Sequence, residues 1–124
     1  MQNPQEIKNY FTGQDAAFEL FTIIREYIES LGPAEIEIMK TQISFGTKRK
    51  FAWVWLPQKW VGNRPEDSIT LTFTWPEKIS DSRIAEAVEA SPGKWTHHIV
   101  IEKADQFDDV VKGWLSHAYA RSIS

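Results

Sequence analysis

The sequence predicts a two-layer α+β fold, in which an antiparallel sheet of four or five strands is covered on one face by N- and C-terminal helices. Apolar residues recur every three or four positions near both ends of the chain, and they alternate with polar residues in the middle. Clusters of Gly and Pro separate these segments, as is typical of turns. The length of 124 residues is that of one domain, so we expect a single domain over residues 1–124.

Helices are predicted over residues 4–12 and 15–30 and in a segment after Asp105. The helix over 15–30 has the most regular apolar stripe. Gly32-Pro33 should end it, because glycine accepts a left-handed cap and proline cannot continue the hydrogen-bond ladder. Asp105 is the expected N-cap of the C-terminal helix.

In the middle of the chain the apolar period changes to two. Ile36 and Ile38 have the opposite parity to Ile43 and Phe45. One straight strand cannot place both pairs on the core face, so we predict a bulge or break between Ile38 and Thr41.

The remaining elements follow from turn residues and alternation. Residues 46–49 are typical of a hairpin turn, with a returning strand over 51–56. Further strands are predicted over 69–75 and 95–102. The spacing of apolar residues in 81–89 indicates a short helix between them.

Composition excludes several classes of function. The chain has no Cys, which removes disulfides, thiolate metal sites and cysteine nucleophiles. A net charge of −3 argues against a nucleic-acid binder held by bulk charge. No apolar run is long enough for a membrane span and no signal peptide is visible, so we expect a cytoplasmic protein with no membrane partner.

The two adjacent histidines carry different expectations. In a strand, His97 and His98 point to opposite faces and cannot both bind one ion. His97 shares the parity of the Ile residues and is expected to be a hydrogen-bonded core residue. His98 either faces solvent or lines a cleft on the uncovered face of the sheet. No metal ligand set and no cofactor motif is present, so neither a metal nor a cofactor is expected.

Charge is unevenly distributed along the chain. The segment from Ile38 to Pro65 contains six basic residues and no Asp or Glu, so it carries +6 and the rest of the chain −9. Aromatic residues are interleaved with these cations. Basic side chains beside aromatic rings suit an anionic, planar ligand. The alternative is that the cations solvate a hairpin tip while the Trp side chains alternate into the core.

We therefore predict a non-catalytic binding module for an anionic ligand at a basic, aromatic hairpin. The ligand would be a phosphate-bearing small molecule, a nucleotide or a short nucleic acid. At Lys40 and Thr41, the break in strand parity either re-aims side chains at a site or marks a sheet edge protected by Lys. The candidate ligand-binding residues are Lys40, Thr41, Arg49, Phe51, Trp53, Arg83, Trp95 and His98.

Two other functions remain open from the sequence. Phe51, Trp53 and Trp55 share one face of their strand by parity, but Trp60 in the loop after it has no periodic reason to be buried. An exposed Trp often marks an interface, so the alternative is a protein–protein or homodimerisation module that uses Trp60. A small enzyme with His98 as general base is the third candidate, although no catalytic motif is present and we expect no catalytic residue.

Short segments across nearly the whole chain carry a family resemblance. They are Tyr10-Phe11, Leu31-Gly32-Pro33, Lys40-Thr41-Gln42-Ile43-Ser44-Phe45, Phe51-Ala52-Trp53-Val54, Trp114-Leu115, Ala118-Tyr119 and, most specifically, Gly93-Lys94-Trp95-Thr96-His97-His98 after Ser91-Pro92. With these segments the chain resembles a small bacterial family, domain-of-unknown-function family 5655, of which some members are labelled predicted transport proteins. The resemblance implies a compact standalone α/β domain and carries over no reaction, cofactor or catalytic residue.

Overall fold

The computed structural model describes residues 4–56 and 68–123, and these ranges form three α-helices and one six-stranded sheet. The predicted α+β class and antiparallel sheet are confirmed, whereas the predicted number of four or five strands is wrong. None of the helices in the described ranges combines the length with the apolar character that crossing a bilayer demands. The elements are α1 (Pro4–Tyr10), α2 (Asp15–Leu31), β1 (Glu35–Ile38), β2 (Gln42–Gly46), β3 (Lys50–Trp55), β4 (Ile69–Trp75), β5 (Ile84–Ser91), β6 (Lys94–Ile101) and α3 (Asp109–Ile123).

The strand order decides which segments meet. The sheet runs β1-β2-β3-β4-β6-β5, and every neighbouring pair is antiparallel. Trp75 at the end of β4 pairs with Trp95 at the start of β6, and Lys94 pairs with Ser91 at the end of β5. These pairings bring three parts of the chain to one end of the sheet. They are the β2–β3 turn, the end of β4 and the β5–β6 turn.

The sixth strand replaces the helix predicted over 81–89, which is wrong. Ile84 and Val88 are four residues apart, a helical spacing, but the segment pairs with β6 as an edge strand. Its register shifts between Ile84 and Glu86 and again between Glu89 and Ser91. These irregularities disrupt the alternation that would have revealed a strand in the sequence.

The predicted parity break is a turn between two strands. β1 pairs with β2 from Ile38 and Ile43 onward, and the backbone N–H of Met39 donates to the carbonyl of Gln42 at 2.7 Å. Each strand can therefore place its own apolar set on the core face. The break was predicted correctly. It divides this segment into two strands, β1 and β2, which adds one strand to the predicted sheet.

A β-bulge occurs one hairpin later. Phe45 pairs with Ala52 and Gly46 with Lys50, which leaves Phe51 as the extra residue on β3. The extra residue alters side-chain direction, and Phe51 is 1% exposed and meets the ring of Tyr119 edge-on at 5.5 Å. Phe51 therefore contacts α3, and its predicted shared face with Trp53 and Trp55 is wrong.

The core lies between the helices and one face of the sheet. Phe21 of α2 stacks on Phe45 at 5.9 Å between ring centroids, and Trp114 of α3 stacks on Phe73 at 5.5 Å. Burying a large apolar side chain stabilises a fold by about 1.5–3 kcal/mol, so these contacts hold both long helices on the sheet.

The start of the last helix differs from the prediction. A short 3-10 helix, Ala104–Gln106, contains Asp105, and α3 begins only at Asp109. The carboxylate of Asp108 accepts a hydrogen bond from the backbone N–H of Val111 at 3.1 Å. Asp108, and not Asp105, therefore caps α3.

His97 is a fully buried core residue, as predicted. Its Nε2 accepts a hydrogen bond from the backbone N–H of Ile79 at 2.9 Å, and its ring stacks on Phe73 at 5.2 Å. The imidazole thereby ties the β4–β5 connection to β6, because Ile79 lies in that connection.

Stability should depend on pH through His97. Burial, and secondarily the neighbouring His98, lowers the pKa of His97 below its usual value of 6.5. The unfolded state then binds a proton more readily, so the free energy of unfolding should fall as the pH drops below about 6.5. Urea unfolding from about pH 8 to about pH 5 should show a weaker pH dependence for His97→Gln, which cannot titrate. Identical pH dependence in both proteins would contradict this assignment.

Gly32 is the glycine whose replacement should cost most. It ends α2 with φ 148° and ψ −173°, which is not the predicted left-handed cap but is still a conformation that other residues avoid. A Cβ here would also overlap the Tyr119 hydroxyl, which donates to the carbonyl of Pro33 at 2.9 Å. We expect Gly32→Ala to lower the free energy of unfolding by about 2 kcal/mol or more.

Gly113→Ala is the matched control, because a Cβ at this helical position meets open space. It should raise the free energy of unfolding by about 0.5–1 kcal/mol. Equal effects of the two substitutions in urea titrations would rule out the role assigned to Gly32.

Candidate functional site

A cleft of about 200 Å³ opens at the end of the sheet where the β2–β3 turn, the end of β4 and the β5–β6 turn meet the last turns of α3. Four basic side chains line it, Arg49, Lys50, Lys94 and Arg121, and its lining includes no acidic side chain from residues 4–56 and 68–123. The β2–β3 turn, the β5–β6 turn and α3 each contribute at least one of these cations. The lining also includes Phe51 and Trp75.

The β2–β3 turn is fastened to α3. The hydroxyls of Thr47 and Ser122 are 2.6 Å apart and share a hydrogen bond. The backbone N–H of Thr47 also donates to the carbonyl of Arg49 at 3.0 Å, which closes the turn. These bonds hold the backbone of the basic turn beside the last turn of α3.

Arg121 is the most constrained of the four cations. Its Nη2 donates to the carbonyl of Thr74 at 3.1 Å, and its guanidinium carbon lies 4.4 Å from the centroid of the Trp75 ring. Burial lowers the pKa of Arg121 from its usual value, but an arginine remains charged in a protein. A stacked guanidinium keeps its remaining donors in a fixed plane, ready for an oxyanion.

The cations differ in how far acidic groups neutralise them. Lys50 Nζ lies 2.9 Å from a carboxylate oxygen of Glu37, so its charge is partly compensated. In the described part of the chain, Lys94 and Arg121 form no ion pair. The carboxyl end of α3 contributes about half a negative charge, which Lys94 and Arg121 outweigh.

The cleft gathers two of the predicted ligand-binding residues, Arg49 and Phe51. Trp95 is the cross-strand neighbour of Trp75 but does not line the cleft. Phe51 has its ring in the core, so it supports the floor of the cleft.

Lys40, Thr41 and Arg83 lie elsewhere. Lys40 and Thr41 are exposed in the β1–β2 turn at the opposite end of the sheet, where the Tyr10 hydroxyl donates to the carbonyl of Thr41 at 2.9 Å. Arg83 is bound by two carboxylates, Asp81 at 2.9 Å and Asp108 at 3.3 Å. The structure therefore does not bring these three residues together with Arg49.

His98 belongs to a polar network on the sheet face opposite the helices, the face that also carries Trp53. Its Nδ1 lies 2.7 Å from the hydroxyl of Thr72, which accepts a hydrogen bond from the indole N–H of Trp55 at 3.0 Å. Either the Thr72 hydroxyl or His98 Nδ1 is the donor in this bond, depending on the tautomer of His98. His98 Nε2 lies 3.9 Å from a carboxylate oxygen of Glu86.

This network has the residue types of a hydroxyl–imidazole–carboxylate triad without the exposure that catalysis needs. Thr72 is 3% exposed and His98 8% exposed. A hydroxyl this deeply buried does not meet a substrate in the described conformation. The network fits a structural role on this face of the sheet, since buried polar groups need partners.

A second, larger cleft of about 370 Å³ lies beside the 3-10 helix. Arg83, Asp105 and Asp108 are among its lining residues. Since Arg83 is already paired with Asp108, this cleft offers an anion little uncompensated charge.

Other predicted features concern metals and the loop after β3. Within residues 4–56 and 68–123, no group of three or more His, Asp or Glu could hold a metal ion. Trp60 lies outside the described residues, as do Lys59 and Arg64 of the basic segment. The interface predicted for Trp60 therefore stays a prediction.

The predicted ligand-binding residues did not include three of the four cations of the cleft, Lys50, Lys94 and Arg121, or the ring of Trp75. Lys94 follows Gly93, whose φ of 75° suits a tight turn, so a basic turn could have been noted there. Arg121 lies two residues after Tyr119, the last residue of the apolar stripe of α3. Nothing in the sequence indicates which end of the sheet this part of the helix reaches.

No similar chain was found among the curated proteins or among the solved structures. One family model, described as a domain of unknown function (DUF5655), matches residues 7–122, which is nearly the whole chain and includes both β-turns of the cleft. The protein therefore belongs to the DUF5655 family.

Proposed function

We propose that this protein is a non-catalytic binding module whose anionic ligand occupies the cleft lined by Arg49, Lys50, Lys94 and Arg121. The observation that carries the proposal is the convergence of these four cations on a concave surface, with no acidic side chain among the described lining residues. Concave sites concentrate the field of like charges and so attract counter-ions. The ligand class is the one expected from the sequence: a phosphate-bearing small molecule, a nucleotide or a short nucleic acid.

The geometry of Arg121 supports an anion rather than a neutral ligand. Its guanidinium is fixed by the Thr74 carbonyl and the Trp75 ring before any ligand binds. Preorganisation reduces the entropy lost on binding, and a guanidinium fork matches the oxygens of phosphate or carboxylate. Lys94 is exposed and adds a mobile charge at the rim.

The proposal moves the site along the hairpin. The sequence predicted a binding site along the hairpin strands, around Phe51 and Trp53. The converging charges lie instead at the β2–β3 turn. The polar face with Trp53 and His98 is not part of the proposed site. No observation favours a second function over this one.

Lys94→Gln tests the proposal without disturbing the core. Binding of ADP should change the total tryptophan fluorescence of the protein saturably, because Trp75 lines the cleft. The affinity should fall between low and high salt because ions screen exposed charges. We expect Lys94→Gln to raise the Kd by about fivefold, the equivalent of about 1 kcal/mol. The measurement is a fluorescence titration at two salt concentrations.

Lys8→Gln is the matched control, because Lys8 is an exposed lysine on α1 and α1 contacts the opposite end of the sheet through Tyr10. This variant should bind ADP like the unmodified protein. The absence of any saturable change with ADP, inorganic phosphate or a short oligonucleotide would refute the proposal, as would equal losses in the two lysine variants.

A further inference from the structure

The aromatic rings of the cleft already contact neighbouring side chains. Phe51 is 1% exposed, and its ring meets Tyr119 edge-on. The indole of Trp75 has Arg121 over one face at 4.4 Å, and the rings of Phe73 and His117 contact it at 6.4 and 5.7 Å, both steeply tilted. A nucleobase stacks on an open ring face, and these contacts leave none at Phe51 and place the Arg121 guanidinium over one face of Trp75.

The size of the cleft points the same way. Its volume of about 200 Å³ lies below the range of roughly 300–1,000 Å³ that is usual for pockets that enclose drug-sized ligands. A phosphate or pyrophosphate group needs far less room than a complete nucleotide. A larger ligand would have to leave most of its atoms outside.

The charges are also arranged for a compact group. The four cations come from three separate chain segments, namely the β2–β3 turn, the β5–β6 turn and α3, so they approach the cleft from different sides. Arg121 supplies directed donors, whereas Lys94 and Lys50 supply point charges that suit any oxygen of a tetrahedral anion. An extended strand of nucleic acid would instead need cations in a row along a groove.

We infer that the cleft recognises the phosphate or pyrophosphate group itself, and that any organic part of the ligand remains outside and contributes little affinity. This inference rests on the proposed anion-binding function and narrows its ligand class. The site then binds compact phosphate groups, either as free ions or at the end of a larger molecule. Arg121 is the central contact, because its guanidinium is already oriented.

Isothermal titration calorimetry with matched ligands tests the inference on the unmodified protein. Inorganic phosphate is compared with AMP, pyrophosphate with ADP, and adenosine alone serves as the control without phosphate. We expect AMP and ADP to bind within about fivefold of phosphate and pyrophosphate respectively, and adenosine not to bind. A stacked base would instead raise the affinity of each nucleotide by more than fivefold and up to about 150-fold.

The outcomes separate the two proposals. Binding of the nucleotides more than fivefold tighter than that of the matched inorganic ions, or binding of adenosine, would overturn the inference and leave the anion site standing. No binding of any of the four anions would overturn the proposed function as well. Equal binding of inorganic ions and nucleotides would support both the anion-binding function and the inference. It would also show that a free phosphate ion is enough for binding.

Discussion

The docking of α3 on the sheet is the constraint on which the candidate site depends. Trp114 stacks on Phe73, Tyr119 meets Phe51, and Arg121 covers Trp75, so successive turns of the helix contact β3 and β4. A shift of the helix by one turn, about 5.4 Å, would break all three contacts together. The same aromatic packing that buries the core therefore fixes where the guanidinium of Arg121 lies.

The bulge in the β2–β3 hairpin makes this docking possible. It turns the extra residue, Phe51, toward α3, where its ring packs under Tyr119. Regular pairing would have sent Phe51 to the face with Trp53, and α3 would have lost a buried aromatic contact. The basic turn lies directly before the bulge, and the Thr47–Ser122 hydrogen bond fastens this turn to the helix.

Local patterns in the sequence predicted most of the fold but only part of the site. The long helix, the parity break and the hairpin turn each depend on neighbouring residues, and those predictions were correct. β5 was missed because its register irregularities hide its alternation. Arg49 could be predicted from the basic turn alone, whereas Lys94 and Arg121 join it only because β6 lies between β4 and β5 and because α3 ends beside them. Such proximity is a property of topology, which a single sequence does not display.

The indole N–H resonances of the six tryptophans give the most direct test of the central claim, that anions bind at the end of the sheet covered by Arg121. In a heteronuclear NMR titration with pyrophosphate, the indole signal of Trp75, under the guanidinium, should shift saturably. The signals of Trp53 and Trp55, on the opposite face, should stay in place. Saturable shifts of Trp53 or Trp55 with an unchanged Trp75 signal would contradict the account and locate the site on the face that carries His98.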